Sequence, residues 1–389
     1  MKKYLIALMF ILTLLFSVLM GTLYFGTVEA ATNVIGVIGS DTTWTKVGSP
    51  YTFTGPVLVD DGVTLTIEPG VSVDLGSYYI QVNGTLSAKG SSVDPIYLNG
   101  GRSDPSEAIV FTQASSNWTE QTSSGCLIEN TILNLTSIKV EDASPKINNN
   151  TFENSYISVA GGSVVISNNT FLGSDHSIVL NPANATISGN RIVGGSTAMW
   201  IEVGLFEMQS FPLIEGNLIA GNEKGIVLIS WADESLESPI IRNNTIADNN
   251  YGISFEYISV GLSPIIMNNN IYNNSNYNID LSHDGSGVLD PVNATYNWWG
   301  TTDTQVINQT MHDFYDDFTL GTVTFVPFLT EANPDAPLVP DFPSPLIISI
   351  LLASILVASL IFKRNAGTKK VKPQTSSAGV TVCFNKLKH

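Results

Sequence analysis

Two carboxylates held about 5 to 9.5 Å apart can cleave a glycosidic bond, one serving as acid and the other as base or nucleophile. The pair in this chain that a regular fold could bring onto one face is Glu202 and Glu256. Near them stand side chains suited to holding a sugar. Trp200, Trp231 and Tyr257 offer rings for stacking, and Asp233 and Asp280 offer acceptors for hydroxyl groups. The chain carries 34 acidic residues against 17 basic ones, so two glutamates on one face also arise as ordinary solvated surface. A second acidic group, Asp303, Asp313, Asp316 and Asp317, could gather around a calcium ion, a hard cation that takes carboxylate oxygens. It has no Asp-x-Asp-x-Asp-Gly loop, and capping and solubility are the competing roles. His176, His283, His312 and His389 lack metal-ligand spacing, which leaves zinc and copper without support. No other cofactor is indicated.

Whether Glu202 and Glu256 meet depends on the element that repeats between them. An apolar residue, two variable positions, Asn, one variable position and an apolar or aromatic residue recur from Leu127 to Trp299. The marker asparagines are Asn130, Asn150, Asn169, Asn190, Asn217, Asn244, Asn269 and Asn297, spaced 20, 19, 21, 27, 27, 25 and 28 residues apart. Such spacing suits one coil of a solenoid. Each interval holds a second alternating run, such as Ile138/Val140, Ile178/Leu180, Met199/Ile201, Ile226/Leu228, Ile253/Phe255 and Ile279/Leu281. Many close with a third run, and three short strands per coil make a parallel β-helix. Asparagine tolerates a left-handed backbone at the turn, and stacked amides can bond to one another along the axis. Stacking Met199, Ile226 and Ile253 sets Glu202 and Glu256 two coils apart on the outward side, about 9.6 Å between backbones. Before the first marker, alternating strands separated by Asp60-Asp61-Gly62, Pro69-Gly70 and Asn83-Gly84 extend the solenoid back to Asn33, giving about ten turns in all. Met311 to Phe318 is expected to form a helical turn that helps close the far end.

Thr43-Trp44, Ser49-Pro50-Tyr51, Gly62 to Gly70, Val82 to Leu86 and Asp94-Pro95-Ile96 resemble the first turns of secreted right-handed parallel β-helix proteins of the pectin-lyase-like kind. The Asn-rich coils are similar to repeats grouped as carbohydrate-binding and sugar-hydrolysis domains. Tyr296 to Asp303, Asp313 to Asp317 and Pro340 to Ser344 resemble the closing segment and stalk of archaeal cell-surface β-helices. The resemblance implies an all-β, right-handed solenoid at a cell surface. It leaves activity open, because these families mix lyases, hydrolases, adhesins and structural proteins. A lyase of this kind needs a basic side chain beside acidic residues; of the three arginines between residues 31 and 342, Arg102, Arg191 and Arg242, the last two flank different markers with no aspartate cluster on neighbouring coils, which disfavours a lyase.

The ends fix the expected topology. Lys2 and Lys3 precede an apolar run, and small residues before Ala31 suit cleavage, so residues 1–30 read as a signal peptide, with an uncleaved anchor as the alternative. The ectodomain spans 33–330, a Pro-rich stalk 331–345, a transmembrane helix 346–362 and a short basic cytoplasmic tail 363–389. Between residues 31 and 342 there are 33 acids against 8 bases, a composition that excludes a nucleic-acid ligand. Cys126 and Cys383 fall on opposite sides of the expected membrane, which leaves Cys126 only an intermolecular partner. Asn-x-Ser/Thr acceptors occur at Asn83, Asn117, Asn134, Asn184, Asn273, Asn293 and Asn308. Those at Asn149, Asn168 and Asn243 directly precede a marker, where a packed turn would exclude a glycan. The expectation is a membrane-anchored, glycosylated β-helix that binds carbohydrate. A tethered glycoside hydrolase and a self-associating surface-layer component are the alternatives, and oligomeric state is left open.

Overall fold

The computed structural model describes residues 31–100, 108–205, 208–231, 239–258, 262–282 and 291–339. The expected signal peptide, residues 340–345, the apolar run 346–362, the tail 363–389 and Asp233 lie outside the described residues. No helix among the described residues is long and apolar enough to cross a membrane.

The chain winds as a parallel β-solenoid with three short strands per coil. One face is a ten-stranded sheet, the other two faces merge into one 22-stranded sheet, and Val292–Asn293 of the last coil pairs separately with Val323–Thr324. Ten stacked strands enclose nine intervals, about 43 Å at 4.8 Å each. Apolar columns hold the coils in register. Ile128, Ile147, Ile166, Ile187, Ile214, Ile241 and Ile266 pair in sequence along the ten-stranded sheet, all buried. Each such side chain contributes roughly 1.5 to 3 kcal/mol through burial. A one-residue slip would turn the whole column outward, so the column fixes the register. Phe152 and Phe171 add a stacked pair, centroids 4.5 Å apart.

The turn divides between two adjacent residues the tasks expected of one asparagine. The first is left-handed: Asn149, Asn168, Gly189, Gly216, Asn243 and Asn268 all have positive φ. The second carries the ladder. Asn150, Asn169, Asn190, Asn217, Asn244, Asn269 and Asn297 are buried, and each side-chain oxygen from Asn169 onward accepts from both the backbone and the side-chain N–H of the asparagine one coil before. Asn130 is the exception and corrects the first copy of the repeat. Ile128, not Leu127, pairs with Ile147, which puts Asn130 at the left-handed position (φ 50°) and Thr131 at the ladder position, where its N–H donates to Asn150.

A second ladder runs along another corner, five residues after the first. Thr136 N–H donates to Ser155 Oγ, Gly195 N–H to Asn222, Asn222 to Asn249 and Asn249 to Asn274. Leu135, Asn154, Gly173, Gly194, Gly221, Asp248 and Asn273 precede its rungs and are left-handed as well.

The C-terminal end differs from expectation in two places. Met311–His312 is a strand that continues the sheet beside Ile279 and Asp280, not a helical turn, and the only helix near it is Thr304–Asn308, capped by Asp303. Residues 331–339, the described part of the expected stalk, lie against the flank of the coils. Asn333 N–H donates to Asn270 Oδ1 at 2.8 Å, its side chain donates to Asn243 Oδ1 at 3.1 Å one coil back, and Pro337 O accepts from Thr245 on that same coil. Asn243, Asn270 and Thr245 offer polar side-chain groups to this strap, which explains why a Pro-rich stretch docks instead of standing free. Cys126 is fully buried and burial raises its thiol pKa to about 11, so it presents no thiolate for an intermolecular bridge.

Candidate functional site

The outward face built from strands His176–Asn181, Thr197–Leu205, Lys224–Trp231, Tyr251–Ile258 and Tyr277–Asp280 gathers most of the side chains singled out from sequence. Val179, Trp200, Val227, Ser254, Asp280 and His312 follow one another in register, one per coil. Beside them run Glu202, Ile229 and Glu256.

Glu202 is half-buried, has no ion pair among the described residues, and is pushed above the usual carboxylate range by desolvation. Glu256 is held by Lys224, Nζ to Oε1 2.6 Å. Burial alone would lower the Lys224 pKa, but the hydrogen bond and charge of Glu256, with Glu223 and Tyr251, outweigh it and raise it. Lys224 starts in register with Tyr251, five residues before Glu256, so its stem must cross the outer face to make this pair. Outward-facing Val227, which lies between the two along the strand, is completely buried. Ile229, 1% exposed, separates the two glutamates.

At the far edge of the same face Trp231 and Tyr257 stack, centroids 5.3 Å apart and planes 23° from parallel, with 43% and 36% of their surfaces exposed. A β-bulge makes this platform. Ile229 pairs with Glu256 but Ser230 pairs with Ile258, which leaves Tyr257 as the extra residue, in a left-handed conformation (φ 50°) that a bulky side chain adopts only when its surroundings enforce it.

Asp280 is committed: its Oδ1 accepts from Ser282 N and Oγ and lies 2.8 Å from His312 Nδ1. Tyr277 stacks on the His312 ring at 4.8 Å, and Tyr251 stands 6.4 Å behind it. At the other end of the face Trp200 meets His176 edge-on at 5.8 Å. Together with Tyr156, Ser158, Asp175 and Val179 they line a pocket of about 390 Å³.

The repeat pattern missed Lys224, Tyr251, Tyr277, His176 and His312. The first four sit at the corner where each strand begins and inward-outward alternation is not yet established. Their signal is positional, each falling two residues before an inward apolar residue of the stacked column: Ile178, Ile226, Ile253 and Ile279. His312 follows Met311, the next member of that column.

The aspartates expected to gather around calcium do not converge. Asp303 caps the helix through Gln305 and Val306, Asp313 accepts from Tyr315 and Val323, Asp316 accepts from Asp313 N–H, and Asp317 accepts from Thr319. Each spends its oxygens on nearby backbone amides. No three His, Cys, Asp or Glu side chains among the described residues are grouped to hold a metal ion.

Of the glycan acceptors, Asn117, Asn184, Asn273, Asn293 and Asn308 are exposed, and Asn83 and Asn134 are half-buried. Asn149 and Asn168 are exposed too, contrary to the packed turn expected, but their amides donate to Asn130 and Asn148.

A family model for the right-handed β-helix region matches residues 102–235 and 138–293. Among curated proteins and among solved structures, no relative matches significantly. The family match spans the coils whose apolar columns and asparagine ladders stack in register, and these coils fold as a right-handed parallel β-helix.

Proposed function

We propose that this protein is a cell-surface module that binds a carbohydrate chain laid along the outward face described above. The observation that carries the reading is the exposed Trp231–Tyr257 platform, on the same face as Trp200, Tyr251 and Tyr277. Flat rings flanked by fixed polar groups suit the alternating apolar faces and hydroxyl rims of sugars. Anchoring at a membrane rests on the apolar run 346–362 with its basic flank, and glycosylation rests on the exposed acceptors. The test is titration of the full-length chain with a panel of neutral and acidic oligosaccharides, followed by calorimetry. Trp231→Ala is expected to weaken the best ligand about tenfold without loss of fold, as hot-spot aromatics do. Unchanged affinity would sink this face as the site.

A hydrolase is the second reading, favoured by one contrast: Glu202 has no ion pair among the described residues and its pKa is raised, as a general acid requires, while Glu256 is held in an ion pair. Two coils of separation, about 9.6 Å between backbones, fall at the upper end for inversion. Mass spectrometry of the same incubations separates the readings. Oligosaccharide products that vanish in Glu202→Gln would establish turnover, and intact glycans would leave binding.

A further inference from the structure

A second pocket lies on the ten-stranded sheet, well before the coils that carry the first site. Fifteen residues separate Phe111 from Leu127, where only four separate Glu141 from Lys146, Ala160 from Val165 and Asn181 from Thr186. The long connection is a fixed wall. Ser116 N–H donates to Gly84 O, Cys126 N–H to Ser116 O and Trp118 N–H to Ser144 O, all within 2.9 Å, and Asn117 Oδ1 accepts from Ser144 N–H at 2.8 Å. A short antiparallel bridge, Thr119 to Ser124, closes its tip. Between this wall and the strands Thr64–Ile67, Thr85–Lys89, Leu127–Glu129 and Lys146–Asn148 lies a space of about 530 Å³.

The lining combines an indole, hydroxyls and two ion pairs. Lys146 sits 5.2 Å from the Trp118 ring centroid and 2.6 Å from Glu120, and Lys89 lies 3.6 Å from Glu129. The hydrogen bond from Lys146, with help from the nearby indole, holds the Glu120 carboxyl below its usual range. The Trp118 indole N–H is buried beside the Glu120 carboxylate, which fixes the ring as part of the wall. Thr64, Ser87 and Ser123 add hydroxyls. Two lysines face two glutamates, so the lining is electrically balanced although the chain as a whole carries a net charge of −17.

We infer that this pocket is a second carbohydrate site, which takes a neutral mono- or disaccharide unit. A charged ligand would have to break one of the two ion pairs, whereas a hydroxyl both donates and accepts and can join them intact. The site shares no residue with the outward face above, and its ligand is chosen by its own lining. A chain with both sites would hold two glycan segments at once.

The test uses the full-length chain with maltose, cellobiose and lactose as neutral probes and digalacturonate as the acidic one, read by saturation-transfer NMR and tryptophan fluorescence. At least one neutral disaccharide is expected to bind saturably, with Trp118→Ala weakening it about tenfold and Lys89→Ala about threefold. Should Trp118→Ala fail to fold, the exposed Lys89 position decides. The assignment is overturned if no neutral disaccharide saturates, if Lys89→Ala leaves affinity unchanged, if digalacturonate binds better, or if Trp231→Ala abolishes the signal. That last outcome would return the binding to the first face, so the two readings fail separately.

Discussion

The coils between Asn150 and Asn190 and those between Asn190 and Asn297 share one plan but use their residues differently. In the earlier coils ladder asparagines are 19 and 21 residues apart, and in the later ones 25 to 28. The short coils have nothing beyond strands and tight corners, and their second ladder is made with Ser155 and Ser174. The first three long coils lengthen one strand to eight or nine residues, with bulges after Glu202 and Ile229, and the long coils build the second ladder from Asn222, Asn249 and Asn274. Stability is supplied by the part of the coil that never changes. The candidate site is built from what was added.

If this division is correct, the largest loss of stability comes from the unvarying ladder. Asn217 donates to Ile187 O, Glu215 O and Asn244, and its oxygen accepts twice from Asn190. Asn217→Leu strands several buried groups and is expected to cost about 3 to 5 kcal/mol in denaturant unfolding. Ser155→Ala, in the lighter second ladder, is expected to cost about 1 kcal/mol. Equal losses would break the comparison.

A smaller effect, of opposite sign, is expected in the added part. Tyr257→Asn places in the bulge a residue that tolerates left-handed backbone, and is expected to raise stability by about 1 kcal/mol while glycan affinity falls. A variant that loses both would make the bulge a structural element and not a device for aiming the ring.

The smallest effect concerns Glu202. Its folded pKa lies above the value of 4.5 it has unperturbed, so the folded chain holds the proton more tightly than the unfolded one. Its contribution is fully present below the unfolded pKa and is lost as pH rises through the folded value. Glu202→Gln is therefore expected to raise the unfolding midpoint slightly at pH 7, with the gain vanishing near pH 4. A gain independent of pH would assign it to something other than desolvation.

The apolar columns and the ladder from Asn150 to Asn297 could be read from sequence because each is set by a period that every coil repeats. The first rung could not, since Leu127 and Ile128 are both apolar and only pairing with Ile147 selects between them. The site was half legible. Glu202, Glu256, Trp231 and Tyr257 share a face as expected, but the Lys224 pair depends on a stem that starts at a corner, where alternation carries no information. The second pocket left no periodic trace, because it is made by an insertion that interrupts the period.

The strap at residues 331–339 also has a mechanical consequence. Tension applied to the chain beyond residue 339 reaches the Pro337 and Asn333 contacts before it reaches the last coil. Those contacts tie it to three successive turns, at Asn243 and Thr245, at Asn268 and Asn270, and through the chain to Asn297, whose side of the turn Leu329 joins by its own N–H. A load on the tail is thus shared along the flank, and the terminal coil is shielded from being the first to unwind.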